Sequence, residues 1–165
     1  MPIYVAAEDL STAIRSVVDN LVGIDELYPS QRELIQALVD NENVFYTGST
    51  NSGKTLPTVM FPNVLKKLNS MGYSFPVAPK ILFITALNSL QLSLVHNTKA
   101  LGIKCEVLTS KNAPALLTSE VSVIFVSPEV LKLPLVTKQL LAQRKAFVLK
   151  VVDEAHLGKE KMGSI

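Results

Sequence analysis

The chain has 165 residues, of which 48% are hydrophobic and 18% charged, and its net charge is +2. This length and composition fit one globular domain with a buried core and exclude an intrinsically disordered chain. No apolar run is long enough for a membrane helix, and the N-terminal residues lack the basic and apolar segments of a secretory signal. We therefore expect no membrane span and no secretion signal.

Charge is distributed unevenly along the chain. Residues 80–165 carry 11 Lys and Arg against 6 Asp and Glu. This excess is compatible with a polyanion partner, and equally with ordinary solvated lysines on helices. Cys105 is the single cysteine and lies in a predicted strand, so we predict a core residue in a reducing compartment. The expected location is intracellular, and nuclear if the source is a eukaryote.

Apolar runs bounded by turn residues alternate with segments of helical periodicity. Helices are predicted over 8–22, 30–40, 54–69, 87–101, 112–118 and 135–143, and strands over 43–47, 80–85, 103–108, 121–126 and 146–152. Several strands are continuous apolar runs, which are typical of a parallel sheet covered on both faces. The predicted fold is therefore α/β, with a mostly parallel sheet and helices on both faces. Pro62 is expected to kink or split its helix.

A glycine-rich turn separates the strand predicted over 43–47 from the helix over 54–69. It fits G-x-x-x-x-G-K-[ST] at every fixed position and consists of Gly48, Ser49, Thr50, Asn51, Ser52, Gly53, Lys54 and Thr55. Such a turn aims backbone N–H groups and the positive end of a helix dipole at one point, which suits nucleotide phosphates. We expect Lys54 to reach the β- and γ-phosphates and the Thr55 hydroxyl to hold Mg²⁺.

An acidic segment, Asp153-Glu154-Ala155-His156, follows the strand predicted over 146–152. In a parallel sheet, residues that follow strands meet at the carboxyl edge, so this segment should lie near the glycine-rich turn. Asp153 would then hold Mg²⁺ through water, and Glu154 would polarise the attacking water. Alone, the pair is equally well explained as a solvated strand exit. The catalytic residues predicted are Glu154, Lys54 and Asp153.

Three further segments, together with these two, resemble one protein family. They are Leu27-Tyr28-Pro29-Ser30-Gln31, Thr85-Ala86-Leu87-Asn88-Ser89-Leu90 and Val126-Ser127-Pro128-Glu129-Val130-Leu131. In order and spacing they resemble the first RecA-like domain of a superfamily-two helicase, most closely of the RecQ type. The resemblance covers roughly residues 20–157. It implies a helical segment over 1–25 and a RecA-like ATP-binding domain over 26–165, with ATP and Mg²⁺ as cofactors and DNA as partner.

The resemblance also assigns roles to individual residues. Gln31, 23 residues before Lys54, would read adenine through N6 and N7. Tyr28 stands where RecQ proteins usually have an arginine, and it could stack on the base. Contacts to the DNA backbone would come from Asn88, Ser89, Ser127 and Glu129. A structural interpretation stays open, since Ser30 with Glu33 forms a capping box and the other two segments also fit helix starts.

The chain stops nine residues after His156. The resemblance implies a second RecA-like domain that this chain lacks, which would supply an arginine finger and half of the DNA track. We therefore expect the N-terminal motor half of an ATP-dependent DNA helicase, with weak or no ATPase and no unwinding alone. The alternative is a standalone nucleotide- or DNA-binding module, or a regulator, without catalysis. A small P-loop kinase fits less well, because no lid segment follows the acidic box.

Overall fold

The computed structural model describes residues 2–44, 53–86 and 89–153. The helices are α1 (Ala7–Val18), α2 (Pro29–Val39), α3 (Thr55–Ser70), α4 (Ser89–Ala100), α5 (Ala113–Leu117), α6 (Pro128–Leu131) and α7 (Pro134–Ala142). The strands are β1 (Lys80–Ile84), β2 (Cys105–Val107), β3 (Val123–Val126) and β4 (Phe147–Val152). None of the described helices is long and apolar enough to cross a membrane.

The four strands form one sheet in the order β2-β3-β1-β4, and every pairing is parallel. In the centre, Ile84 of β1 pairs with Val126 of β3 on one side and with Val152 of β4 on the other. Because parallel neighbours need crossover connections, the chain leaves β1, β2 and β3 at the carboxyl edge and returns through a helix each time. The predicted α/β architecture is confirmed.

Each face of the sheet is covered by its own set of helices. On one face, Phe83 and Phe125 pack with side chains of α1 and α3 in the larger hydrophobic cluster, their ring centroids 5.2 Å apart. On the other face, Leu82 and Ile124 pack with α5 and with Val136 of α7. This division follows from the alternation of side chains along a strand. We call the first of these the α3 face.

Four of the five predicted strands are found, each with shifted or shorter bounds. The fifth, over 43–47, lies largely outside the described residues. Cys105 is buried in β2, as predicted. Pro62, which was expected to kink or split its helix, does not split it, because α3 runs as one helix through this position. Two elements were not predicted: α6, and a 3-10 turn over Arg144–Ala146.

The start of α2 differs from the predicted capping box. The residue before the first helical position is Tyr28, with Pro29 beginning the helix, so Ser30 lies inside the first turn. The backbone N–H of Tyr28 donates to Oε1 of Gln31 over 2.8 Å. The side chain that accepts the backbone N–H of the capping residue is thus that of Gln31, whereas the sequence predicted Glu33. Proline is favoured at the first helical position because its missing N–H would have no partner there.

Candidate functional site

Three polar residues stand in a row at the carboxyl edge of the sheet. Thr85 follows β1, Ser127 follows β3 and Asp153 follows β4. The ladder bonds continue to these positions, since the N–H of Thr85 donates to the carbonyl of Val126 over 3.0 Å and that of Asp153 to Ile84 over 3.1 Å. In the register of the sheet, Thr85 is therefore the neighbour of both Ser127 and Asp153.

The row lies on the α3 face of the sheet. Side chains alternate along a strand, so Thr85 shares the face of Phe83, and Asp153 shares the face of Val151. Phe83 and Val151 both belong to the cluster formed with α3. Asp153 is half-buried there, whereas Thr85 and Ser127 are buried.

The N-terminal end of α3 points to the same edge. Phe61 and Leu65 of α3 share a groove with Phe147 and Val148, which lie at the amino end of β4. Thr55 precedes Phe61 by six residues, or about 9 Å along a helix. Because the chain then returns from α3 to the amino end of β1, Thr55 lies towards the carboxyl edge, where Asp153 is.

Gly53 and Gln31 hold the turn before α3. Gly53 has φ = +64°, in the left-handed region that glycine favours. Its carbonyl oxygen accepts a hydrogen bond from Nε2 of Gln31 at 2.9 Å and another from the N–H of Leu56 at 3.2 Å. A Cβ at this position would lie 2.5 Å from that Nε2 atom. Glycine is thus favoured here by the backbone, and a side chain at this position would also require the Gln31 amide to move.

Gln31 is only 2% exposed, with its oxygen bonded to the N–H of Tyr28 and its nitrogen to Gly53. Counting the described residues only, each of these two atoms has one hydrogen-bonding position left, so a contact to adenine remains chemically open. Tyr28, whose N–H donates to this amide, is 64% exposed, so its ring is accessible to a ligand. Their roles in reading and stacking on adenine stay predictions.

The oxygen atoms at this edge fit a magnesium site. Lys54 and Thr55 are half-buried at the start of α3, and Asp153 is half-buried just after β4. Within the described ranges, no group of three His, Cys, Asp or Glu side chains is placed to hold a metal ion. Magnesium does not need such a cage, because it takes one or two carboxylates together with water and substrate phosphates. A hydroxyl from Thr55 and the carboxylate of Asp153 are the right donors for that mode.

The residues predicted to contact nucleic acid follow two neighbouring strands. Ser89 is exposed at the first position of α4, just after β1, and Glu129 is exposed in α6, just after β3. Ser127 is buried, and its Oγ accepts the N–H of Val130 at 3.4 Å, so its observed contact caps α6. The fold brings these segments to one edge, while their contacts to nucleic acid stay predictions.

Several predicted site residues fall outside the described residues. They are Gly48, Ser49, Thr50, Asn51, Ser52, Asn88 and Glu154. One residue of the edge was not assigned a role from sequence, namely Thr85. Thr85 stands out only because it lies between Ser127 and Asp153 on the neighbouring strands. A sequence motif does not show which residues are neighbours across a sheet.

Comparison with known proteins adds one match. The family model described as DEAD/DEAH box helicase matches residues 28–164. The match includes the glycine-rich turn, the acidic segment and every residue assigned above to nucleotide or nucleic acid. No curated protein matches the chain.

Proposed function

Because this chain belongs to the DEAD/DEAH box helicase family, we propose that it is the first of the two motor halves of a RecQ-like, ATP-dependent DNA helicase. The family itself makes the chain an ATP- and nucleic-acid-binding motor domain, and its parallel sheet flanked by helices is the RecA-like α/β fold. The proposal is supported by Gln31, which bonds to Gly53 at the start of α3, and by Asp153, which follows β4 at the carboxyl edge towards which that end of α3 lies.

We assign the roles in nucleotide binding as follows. Lys54 neutralises the β- and γ-phosphates. Thr55 and Asp153 would hold Mg²⁺, which would neutralise the negative charge that develops on the transferred phosphoryl group. Glu154 orients the attacking water. Gln31 selects adenine while its amide holds the turn through Gly53.

The test of this assignment is the affinity for a fluorescent ATP analogue in the presence of Mg²⁺. Lys54→Ala removes the cation at the phosphates, so we expect binding to fall to the background level while the melting temperature stays close to that of the wild type. Lys66→Ala is the matched control, because Lys66 is exposed on the same helix, about three turns away. Equal affinity of the Lys54→Ala variant and the wild type would contradict the proposal.

The proposal that the nucleic acid is DNA rests on the RecQ-like motifs. Contacts from the segments after β1 and β3 would go mainly to phosphates, so affinity should fall steeply with salt. Binding of single-stranded DNA and RNA of the same sequence, measured at several salt concentrations, tests the choice. Tighter binding of RNA would contradict a RecQ-like assignment and leave the family assignment unchanged.

The proposal that this chain is one half of a motor is tested on the endogenous protein. Immunopurification followed by intact mass measurement should give a species much heavier than 18.0 kDa. A species at 18.0 kDa would favour the alternative, a one-domain binding module or regulator. Unwinding requires two domains that move against each other, so we expect no unwinding by the 165-residue chain in either case.

A further inference from the structure

Thr85 has a buried hydroxyl that no described residue satisfies. The residue is 2% exposed, and its Oγ1 has no hydrogen-bond partner within the described part of the chain. Its backbone is fully engaged, since its N–H donates to Val126 and its carbonyl accepts from Nε2 of Gln91 over 3.4 Å. A buried hydroxyl without a partner is destabilising, so its presence in this place points to a partner acquired in another state.

Among the residues that the structure describes, Thr85 has two polar neighbours in the sheet that could be that partner. On the β3 side lies Ser127, whose Oγ already accepts the N–H that caps α6. On the β4 side lies Asp153, one strand spacing away, or about 4.8 Å between backbones, and on the same face. A carboxylate is a stronger acceptor for a hydroxyl than a second hydroxyl is.

We propose that Thr85 is a positioning residue for Asp153: its hydroxyl donates to the Asp153 carboxylate and holds it in the orientation that takes up nucleotide-bound Mg²⁺. This inference rests on the proposed function of the edge and adds to it a residue that touches neither nucleotide nor metal. Thr85 lies between β3 and β4 in the sheet and directly before the segment assigned to nucleic acid. Thr85, at the end of the central strand β1, is therefore placed to hold Asp153 at the end of the adjacent strand β4.

The test is the Mg²⁺ dependence of binding of a fluorescent, non-hydrolysable ATP analogue. Thr85→Val keeps the shape and removes the hydroxyl. We expect the Mg²⁺ concentration at half-saturation to rise about 10-fold, the usual effect of losing a group that orients a metal ligand. Binding measured in the presence of a chelator should not change, and the melting temperature should stay equal or rise. Thr85→Ser keeps the donor and should restore the wild-type Mg²⁺ dependence.

The matched control is Thr98→Val. Thr98 is also buried, at 1% exposure, but its hydroxyl donates to the carbonyl of Leu94 within α4, away from the row. We expect the Mg²⁺ dependence of nucleotide binding by Thr98→Val to equal that of the wild type.

Two results would overturn the role of Thr85: an unchanged Mg²⁺ concentration at half-saturation in Thr85→Val, or a Thr85→Ser variant as impaired as Thr85→Val. Failure of the proposed function is recognised separately: the wild type would then bind no nucleotide, or Lys54→Ala would bind it equally well.

Discussion

The side-chain amide of Gln31 donates a hydrogen bond to the backbone carbonyl of Gly53 over 2.9 Å, and so joins the start of α2 to the turn before α3. The two residues lie 22 positions apart in the chain. The same carbonyl also accepts the N–H of Leu56 in the first turn of α3. A change at either residue should therefore affect the N-terminal end of α3, which we propose faces the nucleotide.

Replacement of Gly53 by alanine should destabilise the protein through two separate effects. The left-handed backbone costs an alanine about 1–2 kcal/mol, and the new Cβ would lie 2.5 Å from Nε2 of Gln31. Gly23→Ala is the matched control, because Gly23 has φ = +77° and a Cβ added there would meet nothing within 4 Å. Urea denaturation should show a larger loss for Gly53→Ala than for Gly23→Ala.

The excess loss should disappear when Gln31 is shortened. In the double variant Gln31→Ala/Gly53→Ala the clash is gone, so the further cost of Gly53→Ala should fall to that of Gly23→Ala. The comparison is a double-mutant cycle, which isolates the interaction between the two positions. Equal losses in Gly53→Ala and Gly23→Ala would show that the Gln31 amide moves aside at no cost.

Gln31→Glu tests the amide as a donor. The glutamate keeps the length and still accepts from the N–H of Tyr28, but it sets an oxygen against the carbonyl of Gly53. We expect the free energy of unfolding to fall by about 1–3 kcal/mol, the usual cost of a buried group left without its partner. The preference for ATP over GTP should also be lost, because a carboxylate has no proton to give to adenine N7. Preserved ATP preference would remove Gln31 from base recognition.

The parallel sheet could be predicted from sequence because its strands are continuous apolar runs, a pattern that is typical of strands covered on both faces. Shorter elements could not be predicted in this way. The four residues of α6 are too few for helical periodicity, although the cap by Ser127 was recognisable in the sequence. The start of α2 was misplaced because Ser30 and Glu33 fit a capping box, while Tyr28 and Gln31 make the observed bond.

The candidate site shows the same limit. The family resemblance assigned Gln31 and Lys54 to one site. It did not predict the bond between Gln31 and Gly53, which depends on how α2 packs against α3. Likewise, the sequence indicates only that Thr85 is the polar residue at the end of a strand. Its position between Ser127 and Asp153 follows from the order of the strands, which no local pattern contains.

Lys80 should be a stabilising residue in spite of its burial. It is 3% exposed at the start of β1, and its Nζ donates to the carbonyl oxygens of Ser119 and Val121, the latter over 2.6 Å. Burial lowers the pKa of Lys80, with a smaller contribution from Lys66, but the ammonium keeps both carbonyls satisfied. Lys80→Met should therefore lower the free energy of unfolding by about 1–3 kcal/mol. Lys66→Met, at an exposed position, should leave it almost unchanged in the same urea titration, and a gain in stability for Lys80→Met would contradict this account.

The hydroxyl of Tyr73 should give the stability a distinct alkaline pH dependence. It donates to Oδ2 of Asp9 over 2.6 Å and accepts the N–H of Ala6 at 3.2 Å, joining the loop after α3 to the start of α1. The hydrogen bond to Asp9 raises the pKa of Tyr73 above its ordinary value of 10.0, so near and above that pH the folded protein binds more protons than the unfolded chain. The stabilisation by this hydroxyl is then complete below pH 10.0 and is lost as the pH rises through the raised pKa.

Tyr73→Phe tests the sign of this effect. The variant should be less stable than the wild type at about pH 8, and the difference should shrink as the pH rises above the ordinary tyrosine value. Urea denaturation of both proteins across this range measures the difference directly, and other titrating groups cancel because both proteins share them. Tyr4→Phe is the matched control, since Tyr4 is exposed and its charge makes the smallest of the contributions to the raised pKa of Tyr73, so its substitution should give a much smaller pH-dependent difference. A difference that stays constant or grows with pH would show that the hydroxyl of Tyr73 does not stabilise the fold through its proton.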